Sequence, residues 1–459
     1  MRLVSMSLSS LVLAGCVGAD VPSGSTDDLA ATCSPITAQS MIETSPTIVT
    51  DARFSLQKVF DHIRTSTPAG TTPPTGPLPM FQELYAAFAA CTSSPTLDPN
   101  HYGIACRPAE ASFATANPFT TQAGAIHYTP VALVNRFDLA AADGSTCGES
   151  RIVFWLQEPE STARAAIIVE LRTPPVVTNG VSSCAPIARF WASLSGISDP
   201  TTRANKLESF YFNGLPGMPF APASAEGAGF AGAGQVRLNS FADSRQWNLR
   251  EFKWQKVCDP ADTCSAHFVE QTVTNNPSQL LFSGAHANAP AFQSWFVSTA
   301  VPQLAAATDV NQLALGNANA FDTYESVSVP LPGDATNIEY AGDAEASLRT
   351  KVKAELKKLG SKLTPQNIYD RATTQTCGGC HQVSNSVNLG GGLVWPPSQG
   401  FVQIDELGNQ SSAESGTFIP HRITVLENFL GCGGSGSATG SGSGSSGLTI
   451  DGKPLDAPN

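Results

Sequence analysis

Charged residues are scarce in this chain of 459 residues, at 14% against roughly 25% in average globular proteins. Basic residues are the scarcer sign, with 26 Lys and Arg against 38 Asp and Glu, so the formal net charge is −12. A chain of that charge repels phosphate backbones, and there is no basic arm, which argues against a nucleic-acid binder. The hydrophobic content of 41%, with 23 Phe and 6 Trp, suffices for a sizeable core and excludes wholesale disorder.

Common catalytic and phosphate-binding signatures are also missing. No G-x-S-x-G elbow, P-loop or H-E-x-x-H pattern occurs in the sequence. A G-x-G-x-x-G match at residues 227–232 follows Pro-rich sequence instead of a strand, and we interpret it as a loop. Because no catalytic set is identifiable, an electron carrier or a binding protein is favoured over an enzyme.

Beyond the N-terminus, no apolar run reaches membrane-spanning length. Residues 1–15 combine Arg2 with a short apolar stretch, which is the pattern of an export signal peptide. The residues Leu13-Ala14-Gly15-Cys16 resemble the lipobox of bacterial lipoproteins, in which the signal is cut before the cysteine and that cysteine is acylated. The resemblance implies an exported bacterial lipoprotein, anchored through Cys16 to the outer membrane or at the periplasmic face. The alternative is an ordinary cleaved signal.

Changes in composition divide the rest of the chain. Residues 16–45 are small and polar and predict a flexible tether, and 433–459 predict a Gly/Ser-rich flexible tail. The pattern over 46–335 predicts an α+β domain built on a mainly antiparallel sheet, and 336–432 predict a small helical domain. Strands are expected at 131–139, 151–157, 164–172, 235–241 and 246–255, and helices at 48–64, 80–91, 201–213, from about 343 to a stop at Gly360, from 365 towards 377, and 423–430. The helix that stops at Gly360 belongs to an amphipathic pattern whose apolar positions are Leu348, Val352, Leu356, Leu359 and Leu363, and the next helix is expected to have Thr364 as its N-cap and Pro365 as its first residue.

Residues 377–381 are Cys-Gly-Gly-Cys-His, the C-x-x-C-H pattern by which c-type haem is attached. The spacing puts two thiols on one helical turn, where they can reach both vinyl groups of one porphyrin, and points the next residue, His381, at the iron. With 11 Cys and 7 His in the chain, chance would produce this pentapeptide only about 0.004 times.

The segment around the pentapeptide resembles the c-type cytochromes. A helix enters the motif, a Gly-rich and Pro-rich loop follows at 388–400, and a last helix can pack back. The resemblance implies one covalent haem c, with thioether bonds at Cys377 and Cys380 and with His381 as an axial ligand. It also implies single-electron transfer to a redox partner that the sequence does not identify.

Methionine is missing where such cytochromes commonly have their second axial ligand, since none follows Cys380. His421 is the candidate that the C-terminal segment offers, and we predict that it fills the second axial position. The alternatives are an exposed His421 beside an open iron site, or a ligand from the larger domain, either Met218 or His286.

The cysteines outside the motif predict disulfides formed in an oxidising compartment. Without Cys16 and the motif pair, an even set of eight remains, and neighbours in sequence suggest Cys91–Cys106, Cys147–Cys184 and Cys258–Cys264, which leaves Cys33 for Cys432.

An alternative to haem attachment is that the motif cysteines form a disulfide with each other or with Cys432. The chain would then be a cofactor-free, disulfide-stabilised structural or interaction lipoprotein. Zinc is disfavoured, because a zinc site needs two further ligands close by.

The larger domain carries a second resemblance. Segments at 135–138, 147–154 and 247–253 are similar to a pattern in uncharacterised exported proteins of Gram-negative bacteria, and this resemblance implies no activity. Asp138, Asp143 and Glu149 are a conceivable calcium set, but a solvated turn is the favoured interpretation.

Overall fold

The computed structural model describes residues 35–50, 52–89, 106–120, 125–157, 163–230, 232–242, 246–328, 340 and 344–432. The predicted signal peptide, the tail and the predicted boundary between residues 335 and 336 lie outside these ranges, as do Cys16, Cys33 and Cys91.

Five of the described strands lie where the β-branched and aromatic runs predict strands, most of them with ends shifted by a few residues, and the other strands were not predicted. They are β1 Ile42–Glu43, β2 His127–Ala140, β3 Cys147–Gln157, β4 Arg164–Arg172, β5 Val176–Thr178, β6 Val181–Ser183, β7 Gln235–Phe241, β8 Asn248–Cys258, β9 Cys264–Gln271, β10 Ser326–Val327, β11 Asn388–Gly390 and β12 Leu393–Val394.

One large sheet organises the described part of the chain. Its order is β1-β2-β3-β4-β7-β8, β8 pairs with both β9 and β10, and every pairing is antiparallel. The strands β5 and β6, and β11 and β12, form two separate hairpins. The predicted α+β class with a mainly antiparallel sheet is therefore confirmed.

The described residues also form twelve α-helices. They are α1 Pro46–Val49, α2 Leu56–Thr65, α3 Pro77–Ala86, α4 Pro108–Ala111, α5 Ala185–Leu194, α6 Pro200–Asn213, α7 Gln279–Phe282, α8 Ala289–Trp295, α9 Val301–Ala306, α10 Ala346–Lys358, α11 Pro365–Thr373 and α12 Ile419–Phe429. None of the described helices combines the length and the apolar character that crossing a membrane requires.

Two predictions about the N-terminal part of the body need correction. Residues 35–45 were assigned to the tether, but Ile42 pairs with Val134 of β2, and Met41 is buried. The folded part therefore begins before residue 46. The single helix expected over 48–64 is divided, because Ser55 caps α2 by accepting a hydrogen bond from the Lys58 amide.

The predicted amphipathic helix α10 buries the expected side chains Leu348, Val352 and Leu356. The predicted N-cap Thr364 and first-turn Pro365 of α11 are confirmed, and Asn367 completes a reciprocal capping box with Thr364 that was not predicted.

Two apolar cores lie in the described ranges. The main core joins the sheet to α2, α3, α5 and α6, and it also includes Phe401 and Leu426 from the C-terminal segment. The second core joins residues 281–315 to residues 340–395. Side chains from both sides of residue 335 thus share each core.

Two of the suggested disulfides are confirmed, Cys147–Cys184 and Cys258–Cys264. Cys106 and Cys432 are disulfide-bonded as well, and their suggested partners lie outside the described residues.

Candidate functional site

The C-x-x-C-H motif begins just after α11 and winds into a π-helical turn, Gly379–Val383. The backbone N–H of Gly378 donates to the Ser326 hydroxyl of β10 at 2.8 Å. The side chains of Cys377 and Cys380 are half-buried thiols. Cys377 packs against the main core and Cys380 against the second core, so the motif lies where the two cores meet.

His381 is oriented by a backbone carbonyl. Its Nδ1 lies 3.2 Å from the carbonyl oxygen of Phe401. Because a carbonyl oxygen can only accept, Nδ1 must carry the hydrogen, and Nε2 keeps its lone pair. Burial lowers the pKa of His381 to about 4, so the imidazole is neutral at pH 7.

The loop after the motif folds back over it. The Trp395 indole N–H donates to the Cys380 carbonyl at 3.2 Å, and the Ser398 hydroxyl donates to the His381 carbonyl. Carbonyl groups at the end of a helix have no partner within the helix, and these two bonds satisfy the carbonyls of Cys380 and His381. The loop therefore fixes the backbone that carries the second thiol and the imidazole.

A row of two buried carboxylates and two half-buried guanidinium groups lies on the face of the sheet next to the motif. Cross-strand pairing places Arg151 opposite Glu170, and Arg237 opposite Glu251, so all four side chains share one face. Arg151 contacts Glu170 at 2.8 Å, and Arg237 contacts Glu170 at 3.4 Å and Glu251 at 3.2 Å. Charges of opposite sign thus alternate along the row, as buried charges require.

This charge row acts on the motif electrostatically. Arg237 interacts with Cys377 and with His381, and Glu170 also interacts with His381. Burial by itself would raise the pKa of Glu170, but Arg151 and Arg237 lower it, so the carboxylate stays ionised. The motif is therefore close to the charged side chains of Arg237 and Glu170 as well as to apolar residues.

The three carboxylates considered for calcium have other partners. Asp138 contacts Arg136 at 2.8 Å and Glu149 contacts Arg151 at 2.6 Å. Burial would raise the pKa of Asp138, but Arg136 and Arg422 lower it to about 2. Asp143 accepts a hydrogen bond from the Ser145 amide in an exposed turn.

The candidates for a second axial ligand lie on different elements. His421 is half-buried in the first turn of α12, a helix that also contacts β2 through Phe137 and Phe429 at a ring separation of 4.8 Å. The Met218 sulfur accepts a hydrogen bond from the Leu215 amide at 3.0 Å. His286 lies before α8, in the region of the second core.

The described residues contain no group of three or more His, Cys, Asp or Glu side chains that could hold a bare metal ion. In haem, the porphyrin supplies four nitrogen ligands to the iron, so the protein has to provide fewer metal ligands than it would for a bare ion. Two thiols on one turn and a neutral histidine whose Nδ1–H is held by a backbone carbonyl fit that requirement. The residues that would hold haem are Cys377, Cys380 and His381.

Sequence reasoning missed the residues that support His381. Phe401 carries no motif, and Asn239 and Arg237 were noticed only as parts of a strand. In β7, the polar residues Gln235, Arg237 and Asn239 occupy alternate positions. Alternate residues of a strand point to the same face, so this pattern was the signal that one face of β7 is polar.

Comparison with known proteins adds no family to this description. The chain matches no family model, no curated protein and no solved structure at a significant level.

Proposed function

We propose that this chain binds one covalent c-type haem through Cys377, Cys380 and His381 and carries single electrons. The observation that supports the proposal most is the C-G-G-C-H pentapeptide together with the bond from His381 Nδ1 to the Phe401 carbonyl. That bond leaves Nε2 as the free nitrogen, which is the one an axial ligand needs. In this proposal the C-terminal helices form a cytochrome-like segment packed on the sheet.

Haem would supply an iron that cycles between two oxidation states. The chain's part is attachment and tuning. Each motif thiol would add across one vinyl double bond, so a carbon–sulfur bond forms and the thiol hydrogen passes to the vinyl carbon, with no oxidant consumed. The adjacent charges of Arg237 and Glu170 would then set the potential of the site, because buried charges stabilise one oxidation state over the other.

The test is the visible spectrum of protein co-expressed with haem-maturation machinery. We expect a sharp Soret and α band on reduction and a mass increase of one haem that survives denaturation. Replacing Cys377 and Cys380 by Ser should abolish covalent attachment. The same double replacement at the Cys258–Cys264 disulfide is the matched control and should retain haem.

A wild-type spectrum without these bands would reject the haem proposal. It would favour the alternative, a cofactor-free structural or interaction lipoprotein stabilised by its disulfides.

We further propose that the chain is exported and anchored to a membrane through acylated Cys16, which lies outside the described residues. Its support is the Leu-Ala-Gly-Cys sequence after a short apolar stretch. A Cys16→Ser variant should move to the soluble fraction and lose palmitate labelling. Membrane association that persists unchanged would reject the anchor.

A further inference from the structure

Phe401 has a backbone conformation that bulky residues rarely adopt. Its φ is 67°, in the left-handed region, where an L side chain is crowded by the neighbouring carbonyl. Residues are held in such conformations only when the surrounding structure over-determines them, and they cluster at functional sites. The contacts that hold Phe401 therefore bear directly on the motif beside it.

Two side chains from distant parts of the chain hydrogen-bond to the Phe401 carbonyl oxygen. Asn239 of β7 donates from Nδ2 at 3.2 Å, and His381 donates from Nδ1 at 3.2 Å. A carbonyl oxygen has two lone pairs, so it can accept both bonds at once. Asn239 thus fixes the position of the atom that selects the His381 tautomer.

The Phe401 side chain is held by the same sheet. Its ring stacks on Trp247, which precedes β8, at a centroid separation of 6.0 Å, and lies 5.4 Å from the His381 ring. Phe401 is fully buried and Asn239 nearly so. The Oδ1 atom of Asn239 is buried and accepts no hydrogen bond from the described residues, so the Phe401 contact orients this amide.

We propose that Asn239 is a positioning residue for His381. Through the Phe401 carbonyl it holds the imidazole in the Nδ1–H tautomer and so presents Nε2 to the haem iron. The statement about iron rests on the haem function proposed above, whereas the hydrogen-bond relay belongs to the chain itself. The α+β sheet then contributes to the redox centre, because the partner of a ligand's second nitrogen sets the ligand's orientation and basicity.

The first test needs no haem. In the full chain produced without haem, ¹⁵N NMR at neutral pH should find His381 as the Nδ1–H tautomer. Asn239→Leu keeps the branching of the side chain at Cγ but cannot donate, and we expect it to convert His381 into a mixture of tautomers. The matched control is Asn135→Leu, since Asn135 is also a buried strand residue whose Nδ2 donates to a backbone carbonyl outside the strands, that of Ser40, at 3.0 Å.

Three outcomes would overturn the proposal. One is a wild-type His381 in the Nε2–H form, which can be observed even if no variant folds. The others are an unchanged tautomer in Asn239→Leu, and an equal change in Asn135→Leu, which would indicate general loosening of the fold.

The second test uses the haem-loaded protein. A weaker hydrogen bond at Nδ1 makes the imidazole less basic, which favours ferrous over ferric iron. Asn239→Leu should therefore raise the reduction potential while haem stays covalently attached, and Asn135→Leu should leave the potential unchanged. An unchanged potential in haem-loaded Asn239→Leu would overturn the proposal. A wild type that attaches no haem would reject the haem function instead, and the tautomer measurement would still decide the role of Asn239.

Discussion

A β-carbon added to Gly379 would lie 1.7 Å from the backbone carbonyl oxygen of Thr373. That distance leaves no room for a side chain, because the obstacle is backbone and cannot rotate away. Gly379 lets the chain turn tightly from α11 into the motif, and it stands between the two cysteines. The second glycine of C-G-G-C-H is therefore a steric requirement of this fold.

We predict that Gly379→Ala destabilises the protein by about 3 kcal/mol, the upper range for overpacking a filled site. It should also reduce haem attachment, since the thiols move with the turn. Gly416→Ala is the matched control: Gly416 lies in another π-helical turn, with open space where its β-carbon would be. Urea unfolding and haem staining of both variants test this, and equal stabilities would contradict the steric argument.

The two confirmed disulfides should differ in their contribution to stability. Cys147–Cys184 closes a separation of 37 residues and Cys258–Cys264 a separation of 6. On the loop-entropy model, removing the first costs about 4 kcal/mol and removing the second about 2 kcal/mol. Paired Ser substitutions and denaturant unfolding measure both values. The reverse order would show that the loop-entropy model does not describe these bridges.

Glu270 should make the protein less stable as the pH rises. Burial raises its pKa to about 7 from an ordinary 4.5, although Arg250 lies 3.3 Å away. Between these two values the folded state holds a proton that the unfolded state has lost, so stability falls as pH increases through this window and levels off above pH 7. The full effect is at most about 3 kcal/mol.

The check is to compare wild type with Glu270→Gln by urea unfolding from pH 4.5 to pH 8. The variant cannot ionise at this position and should lose part of the decline. Parallel curves for the two proteins would contradict the raised pKa, because all other titrating groups are shared.

His421→Ala tests the predicted second axial ligand. If His421 binds the iron, the variant should change a low-spin spectrum to a high-spin one while haem stays covalently attached. His127→Ala is the control, since His127 is exposed at the start of β2. An unchanged low-spin spectrum would exclude His421, and a high-spin wild type would favour a gas-binding or peroxidase-like site over an electron carrier.

A basic surface precedes the motif in an otherwise acidic chain. We favour the interpretation that it is the solvated face of an amphipathic helix, and we test the alternative that it steers an acidic redox partner. It consists of Arg349, Lys351, Lys353, Lys357, Lys358 and Lys362, and its five lysines are exposed. If it steers a partner, electron-transfer rates should fall as salt screens these charges.

Reversing the charge at Lys357 and Lys358 should slow the reaction at low salt. The control reverses two exposed lysines elsewhere, Lys206 and Lys256, and keeps the same net charge. If both double variants react at the same rate, or if the wild type shows no salt dependence, steering is wrong.

Strands with continuous β-branched and aromatic runs were predictable because their pattern is local, and β3 and β4 are confirmed. β9 and the helices α7 to α9 are among the elements that were not predicted. β9 mixes polar and apolar residues and is ordered by pairing with β8 through the Cys258–Cys264 hairpin. The short helices α7 to α9 contribute side chains to the second core, which residues 340–395 complete. Their order therefore depends on distant residues, and no local periodicity predicts them.

By itself the sequence determined the α+β class, the N-terminal cap of α11 and the thiol and imidazole spacing of the motif, since each depends on local patterns, and it suggested the two confirmed disulfides from the order of the cysteines. Only the tertiary structure decided what surrounds the motif. Asn239 is 162 residues from Phe401 and His381 is 20 residues from it, yet both reach one carbonyl oxygen. Strand register and the strained backbone of Phe401 bring them together, and both arise from packing over the whole sheet instead of any local pattern.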